Sequence, residues 1–255
     1  MNPGFLALLS LFILVGAELT EPESAPQQQS DETKNLKYYP EGTKRSELIP
    51  QMRQFSFALG APCTYCHGTE EQRTSDLRGV DFSLDIKPTK DKARQMLRMV
   101  DEINSRLLPQ ISQRREFDLE VTCFTCHSGL PFPESIEARV MRKIEDENLE
   151  AAIDDYRQVR ERYYGSAAFN FKEQPLVEVA SALHGEGQYE ASAKISLLNL
   201  EFHPESGQSK FWLAEAYAAS GERAKARELY EELLAQHPND PRLKARIEAL
   251  GKKDN

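Results

Sequence analysis

The sequence predicts an all-α chain in two helical parts, residues 36–132 and 133–255. Three observations point there. Apolar residues recur at helical spacing in two stretches of the first part, where strand signals are scarce. The second part matches itself at a spacing of 34 residues. The only long apolar run, Phe5 to Ala17, lies at the N-terminus and is short for a membrane span.

Taken in order, the Phe5–Ala17 run ends in small residues and is followed at once by Glu18, Glu21 and Glu23. It reads as a secretory signal over residues 1–17, with Val15 and Ala17 placed for cleavage. No Lys or Arg precedes the run, so an uncleaved N-terminal anchor is the alternative. Residues 18–35, with Pro22, Pro26 and Gln27-Gln28-Gln29, are polar and aperiodic and are expected to form a flexible linker. The net charge is −9, and the acidity lies in the linker and the second part: residues 36–132 carry 14 basic and 13 acidic side chains, residues 133–255 carry 17 and 23. Such a surface disfavours nucleic acid as a partner.

In the first part, Leu48, Met52, Phe55 and Leu59 form one stripe of a helix expected to be capped by Ser46 and ended by Gly60, with Pro50 in or near its first turn. A second helix is expected from Pro88 through Leu107, stopped by Pro109, with Ala93, Met96, Leu97, Val100, Ile103 and Leu107 on its apolar face.

Two segments carry chemistry: Cys63-Thr64-Tyr65-Cys66-His67 and Cys123-Phe124-Thr125-Cys126-His127. They use all four cysteines. Two thiols three residues apart can add to the two vinyl groups of one haem, and the adjacent His then binds the iron from the proximal side. The expectation is two covalently bound c-type haems, held by Cys63, Cys66, Cys123 and Cys126 and ligated by His67 and His127. A four-thiolate zinc site is the first alternative, against which stand the 56 residues between the pairs and the two unexplained histidines. Structural disulfides are the second. Haem of this kind is attached outside the cytoplasmic membrane, in agreement with the leader.

A sixth iron ligand is still needed. The other histidines, His184, His203 and His237, all fall in the second part, which leaves methionine, a soft donor that raises the reduction potential of a His-ligated iron. Met52 lies 11 residues before Cys63 and Met96 lies 27 before Cys123, each on the preceding helix. Core filling is the competing role for both.

The ordered set Asn35-Leu36-Lys37, Met52-Arg53-Gln54-Phe55, Ala58-Leu59-Gly60, the first Cys-x-x-Cys-His, Asp81-Phe82, Lys87-Pro88, Ala93-Arg94-Gln95-Met96-Leu97-Arg98-Met99, Glu102-Ile103-Asn104 and Val121-Thr122 with the second motif resembles one half of the cytochrome c subunit of photosynthetic reaction centres, over about residues 35–131. The resemblance implies that Met52 pairs with His67 and Met96 with His127 as distal ligands, with Met99 as the alternative to Met96. It departs from that family in having one such half, in placing Gln110 near where some members carry a His, and in a Leu107–Glu120 segment about five residues longer.

In the second part the 34-residue self-match pairs Val179 with Leu213, Ala180 with Ala214, Leu183 with Tyr217, Gly187 with Gly221, Ser192 with Ala226, Leu200 with Leu234 and Pro204 with Pro238. This is the tetratricopeptide pattern, with full repeats near 173–206 and 207–240, a degenerate helical unit around Ala151–Tyr156 before them and a closing helix from Pro241. Such arrays present a face to a protein partner. Lys210, Trp212 and Arg223 are candidates for that face, with solvated charge and a packed indole as the competing reading, while Asp154-Asp155 and Glu231-Glu232 read as solvated faces.

Together these readings predict an exported dihaem cytochrome c that carries single electrons between redox partners, periplasmic or held at the membrane by its N-terminus, with repeats that dock a protein. Six-coordinate iron leaves no open position for a substrate, so no enzymatic activity is expected. The alternatives are a haem oxidoreductase such as a dihaem peroxidase, and a haem-containing scaffold.

Overall fold

The computed structural model describes residues 31–69, 71, 76–111 and 120–251. The expected signal, linker residues 18–30 and most of the longer Leu107–Glu120 segment lie outside them. All regular structure among the described residues is helical. Helix α1 spans Arg45–Leu59 and α2 spans Pro88–Glu102, continuing through a π turn, Ile103–Leu107, into a 3-10 turn, Leu108–Gln110. Helix α3 is the single turn Cys123–His127. Then follow α4 (Ile136–Asp146), α5 (Leu149–Tyr163), α6 (Glu173–Gly185), α7 (Tyr189–Phe202), α8 (Gly207–Ala219), α9 (Arg223–Gln236) and α10 (Pro241–Gly251).

From α4 onward the chain is a stack of helix pairs. Small residues are buried within each pair: Ala180 and Ser192 in α6 and α7, Ala214 and Ala226 in α8 and α9, all at most 1% exposed. Ser192 cannot leave its hydroxyl bare there, and it donates to the Ala180 carbonyl at 2.8 Å. Gly187 and Gly221 follow α6 and α8 with φ of +78° and +83°, a region costly for any residue with a Cβ. Ile136 and Val140 of α4, Ile153 and Tyr156 of α5 and Leu176 of α6 share one core, so the two helices before the first full repeat belong to the same stack. Each of these larger side chains contributes about 1.5–3 kcal/mol by leaving water. Ser135 and Asn148 cap α4 and α5 through the amides of Ala138 and Ala151, at 3.2 and 2.9 Å.

Several local expectations change. Helix α1 starts at Arg45, which makes Pro50 its sixth residue and costs one interior backbone bond. Ser46 is inside the helix, and Asp31 does the capping from a distance: its carboxylate accepts from the Ser46 amide at 2.8 Å and from the Ser46 hydroxyl at 3.0 Å. The last residues of the expected flexible linker are thereby tied down, since Thr33 also donates to the Thr43 carbonyl and Asn35 to Ser83. Asp155 is largely withdrawn from solvent: it forms a two-bond ion pair with Arg139 at 2.6 and 2.8 Å. Lys210 is engaged by Glu232 at 2.6 Å, Trp212 packs against the core, and Arg223 donates to the Ala249 and Leu250 carbonyls, so these three hold the stack together.

The part before α4 is built differently. Among its described residues the buried apolar side chains are Ala58, Ala61 and Leu130. Larger apolar groups such as Phe57, Leu77, Leu84, Ile86 and Met99 stand exposed.

Candidate haem-binding site

Both motifs are single helical turns that leave in the same way. Residues 63–65 form a 3-10 turn closed by the Cys66 amide on the Cys63 carbonyl at 3.3 Å, the His67 amide donates to the same carbonyl at 3.1 Å, and Gly68 follows with φ of +87°. In the second, Thr122 opens α3, its amide donating to the Thr125 hydroxyl at 3.0 Å, and Ser128 and Gly129 leave with φ of +48° and +94°.

The first motif is clamped to the start of α2. Lys87, buried, donates its ammonium to the Thr64 carbonyl, and Thr89 donates to the Tyr65 carbonyl at 2.6 Å. One turn on, Lys90 gathers the carbonyls of Phe82, Ser83 and Leu84 at 3.0, 3.2 and 2.7 Å. Asp85 completes the clamp, with Lys37, Lys90 and Arg94 at 2.6, 2.9 and 2.7 Å and Asn35 at 3.1 Å. The Arg94 guanidinium, then Lys37, hold its carboxyl well below the usual range.

The second motif is held at the other end of the same helix. Asn104 exchanges two hydrogen bonds with the backbone of Val121, both 2.8 Å. The second motif also touches α1, the helix that leads into the first: the Gly129 amide, just past the motif, donates to the Ala58 carbonyl at 2.8 Å, and the rings of Phe57 and Phe124 stack at 5.2 Å and 13°.

The two histidines are prepared differently. His127 Nδ1 lies 2.8 Å from the Leu130 carbonyl, which can only accept, so Nδ1 carries a proton and Nε2 is the nitrogen turned towards an iron. His67 Nδ1 is buried without a hydrogen-bond partner, and the Phe82 ring lies 5.1 Å from the imidazole. Burial, and then the Lys90 cation, push His67 down to about 4 and keep its ring neutral near pH 7; the Phe82 backbone opposes this only in part, without reaching hydrogen-bond geometry at Nδ1. A neutral imidazole is the form that binds a metal. Burial raises the Cys66 and Cys123 thiols.

The four cysteines are free thiols, and no three His, Cys, Asp or Glu side chains converge on one point among the described residues. The two Cys pairs therefore do not assemble a common zinc site. Met52 is half-buried on α1, whereas Met96 and Met99 are 46% and 45% exposed on α2; neither of the latter fills a core. The donor set fits c-type haem: paired thiols each followed by a histidine, methionines outside any core, and a module that leaves several large apolar side chains exposed. Sequence reasoning missed the Lys87–Lys90 clamp, the Asp85 cluster, the Asn104–Val121 pairing and the Phe57–Phe124 stack.

Comparison with known proteins agrees with this chemistry. The family described as photosynthetic reaction centre cytochrome C subunit matches residues 76–176, and a tetratricopeptide repeat family matches 208–249. The cytochrome match starts after the first motif and runs on through α4 and α5, whereas the resemblance read from the sequence spans about 35–131. A relative, cytochrome c-554 of Chloroflexus aurantiacus, is 31% identical over 91 residues, which are 35% of this chain and 19% of that protein's length. The family implies covalently bound c-type haem. Among the described residues no helix is long and apolar enough to cross a membrane. The chain is thus an all-helical protein similar over residues 76–176 to the reaction centre cytochrome C subunit family and over 208–249 to tetratricopeptide repeats.

Proposed function

We propose that the chain is an exported dihaem c-type cytochrome that carries single electrons between redox partners and docks a protein through its repeats. The observation that carries this reading is the pairing of each Cys-x-x-Cys-His turn with a methionine-bearing helix inside a module with almost no apolar core of its own. Cys63 and Cys66 hold one haem and Cys123 and Cys126 the other, through thioether bonds. His67 and His127 would be the histidine ligands of the two irons, and Met52 and Met96 the methionine ligands. A bound haem supplies an iron that gains or loses one electron. With a histidine and a methionine both given to each iron, no position would be left for a substrate, and methionine sulfur would favour the ferrous state and raise the potential.

Residues 36–132 form the haem domain in this reading and 133–255 the docking domain. Export is proposed from the leader, either removed or retained as an anchor, and places the protein in the periplasm beside membrane-associated donors and acceptors. A redox titration of the haem-loaded chain, followed by exposure of the reduced form to carbon monoxide, tests the proposal. Two one-electron steps and no uptake of carbon monoxide are expected. Ready uptake at either iron would point to the haem oxidoreductase alternative, because it requires an open axial position.

A further inference from the structure

Asn104 sits in the π turn Ile103–Leu107, where the helix that carries Met96 takes in an extra residue per turn. Such turns are rare, less favourable than α-helix, and recur at functional positions. What this one presents is a primary amide aimed at a backbone. Asn104 Nδ2–H donates to the Val121 carbonyl and Oδ1 accepts the Val121 amide, each at 2.8 Å and partly buried. A two-way bond of this kind needs a donor and an acceptor side by side at one reach. Asp lacks the donor, Ala lacks both, and Gln is longer by a methylene.

Val121 stands two residues before Cys123, so the bond fixes where the second motif begins. Met96 lies eight residues before Asn104 on the same helical rod, about 12 Å along its axis. Nothing else that α2 or its extension donates to the described residues just before Cys123 spans this gap in sequence. The reach of the methionine towards the histidine side of the second motif is therefore set in part by this side-chain anchor at the far end of the rod, beside the direct packing of α2 on α3.

We infer that Asn104 is a positioning residue for the second haem, tying the haem-attachment turn to the helix that supplies its distal methionine. The inference rests on the dihaem reading above. Covalent attachment through Cys123 and Cys126 does not need the anchor, whereas a sulfur–iron bond does, because it tolerates little displacement.

The test uses the full chain loaded with haem, as wild type, Asn104→Ala and Asn104→Asp. Both variants are expected to keep the wild-type haem content. In Asn104→Ala one haem should fall in midpoint potential, lose its near-infrared sulfur-to-iron band in the ferric state and bind added imidazole at concentrations that leave wild type untouched. Asn104→Asp, which keeps the acceptor, should shift the same haem less. It also carries the test if the alanine variant does not accumulate. Potentials and bands unchanged at both haems, or both haems shifted alike, would overturn the inference. A wild-type chain with fewer than two haems would instead remove the dihaem reading beneath it.

Discussion

Gly60 and Gly129 meet backbone to backbone: a Cβ on Gly60 would stand 2.2 Å from the Gly129 carbonyl oxygen. Gly60 closes α1 at φ of +57°, and Gly129 follows the second motif. The exit from the methionine helix of one motif is thus packed on the exit from the other motif with no room for a side chain at Gly60. Gly60→Ala is expected to cost at least about 2 kcal/mol, from left-handed strain together with the clash. Gly129→Ala meets nothing within 4 Å and should cost only the strain, about 1–2 kcal/mol. Thermal melts of the two variants check the difference; equal losses would deny the close approach.

Met52→Ala should leave both haems covalently attached while lowering the potential of one and opening its iron to added ligands, and Met96→Ala should do the same to the other. Met96 and Met99 are about equally exposed on α2, so Met99→Ala is the control and should change neither potential. Redox titration of the three variants assigns the ligands, and a shift in Met99→Ala alone would exchange the roles of the two.

Asp85 draws Lys37, Lys90 and Arg94 together over the first motif. Its carboxyl is held below its unfolded value, so its contribution is present in full above the ordinary Asp range near 3.9 and is lost as pH falls below that range. Asp85 is partly open to solvent, which limits the effect to about 1 kcal/mol. Asp85→Asn should lower stability by that much at pH 7, and the gap from wild type should close on acidification. A gap that is constant with pH would contradict the ionic origin.

Asn199 is fully buried in α7, where Nδ2 donates to the Glu173 carbonyl at 2.8 Å and to Ser209 at 2.7 Å, joining α6 to α8 across the repeat boundary. Asn199→Ala removes both bonds and opens a buried gap, and should cost about 1–3 kcal/mol by urea unfolding, with haem spectra unchanged.

Much of the repeat stack was legible in the sequence because its determinants are periodic. Ala180, Ala214 and Ala226 recur where helices touch, and Gly187 and Gly221 where the chain must turn with positive φ. The two motifs were legible because thiol spacing is itself chemistry. The clamp was not: Lys87, Thr89 and Lys90 read backbone carbonyls 6 to 24 residues away, and no sequence period marks a lysine that does so. Ser46 misled for a related reason. A good capping residue yields when a remote carboxylate, here Asp31, reaches the same amides. Met96 was expected at the centre of an apolar face, yet it lies 46% exposed, because protein covers only part of that face: Ala93, Leu97 and Val100 are half-buried and Met96 is left outside.

The measurement that tests the central claim most directly is the haem-to-protein ratio of the full chain, by pyridine haemochrome, after production in a host with c-type haem attachment machinery. Two covalent haems per chain are predicted, falling to one when Cys63 and Cys66, or Cys123 and Cys126, are replaced by alanine. One haem in the unaltered chain, or none with zinc or disulfides at the four cysteines, would contradict it.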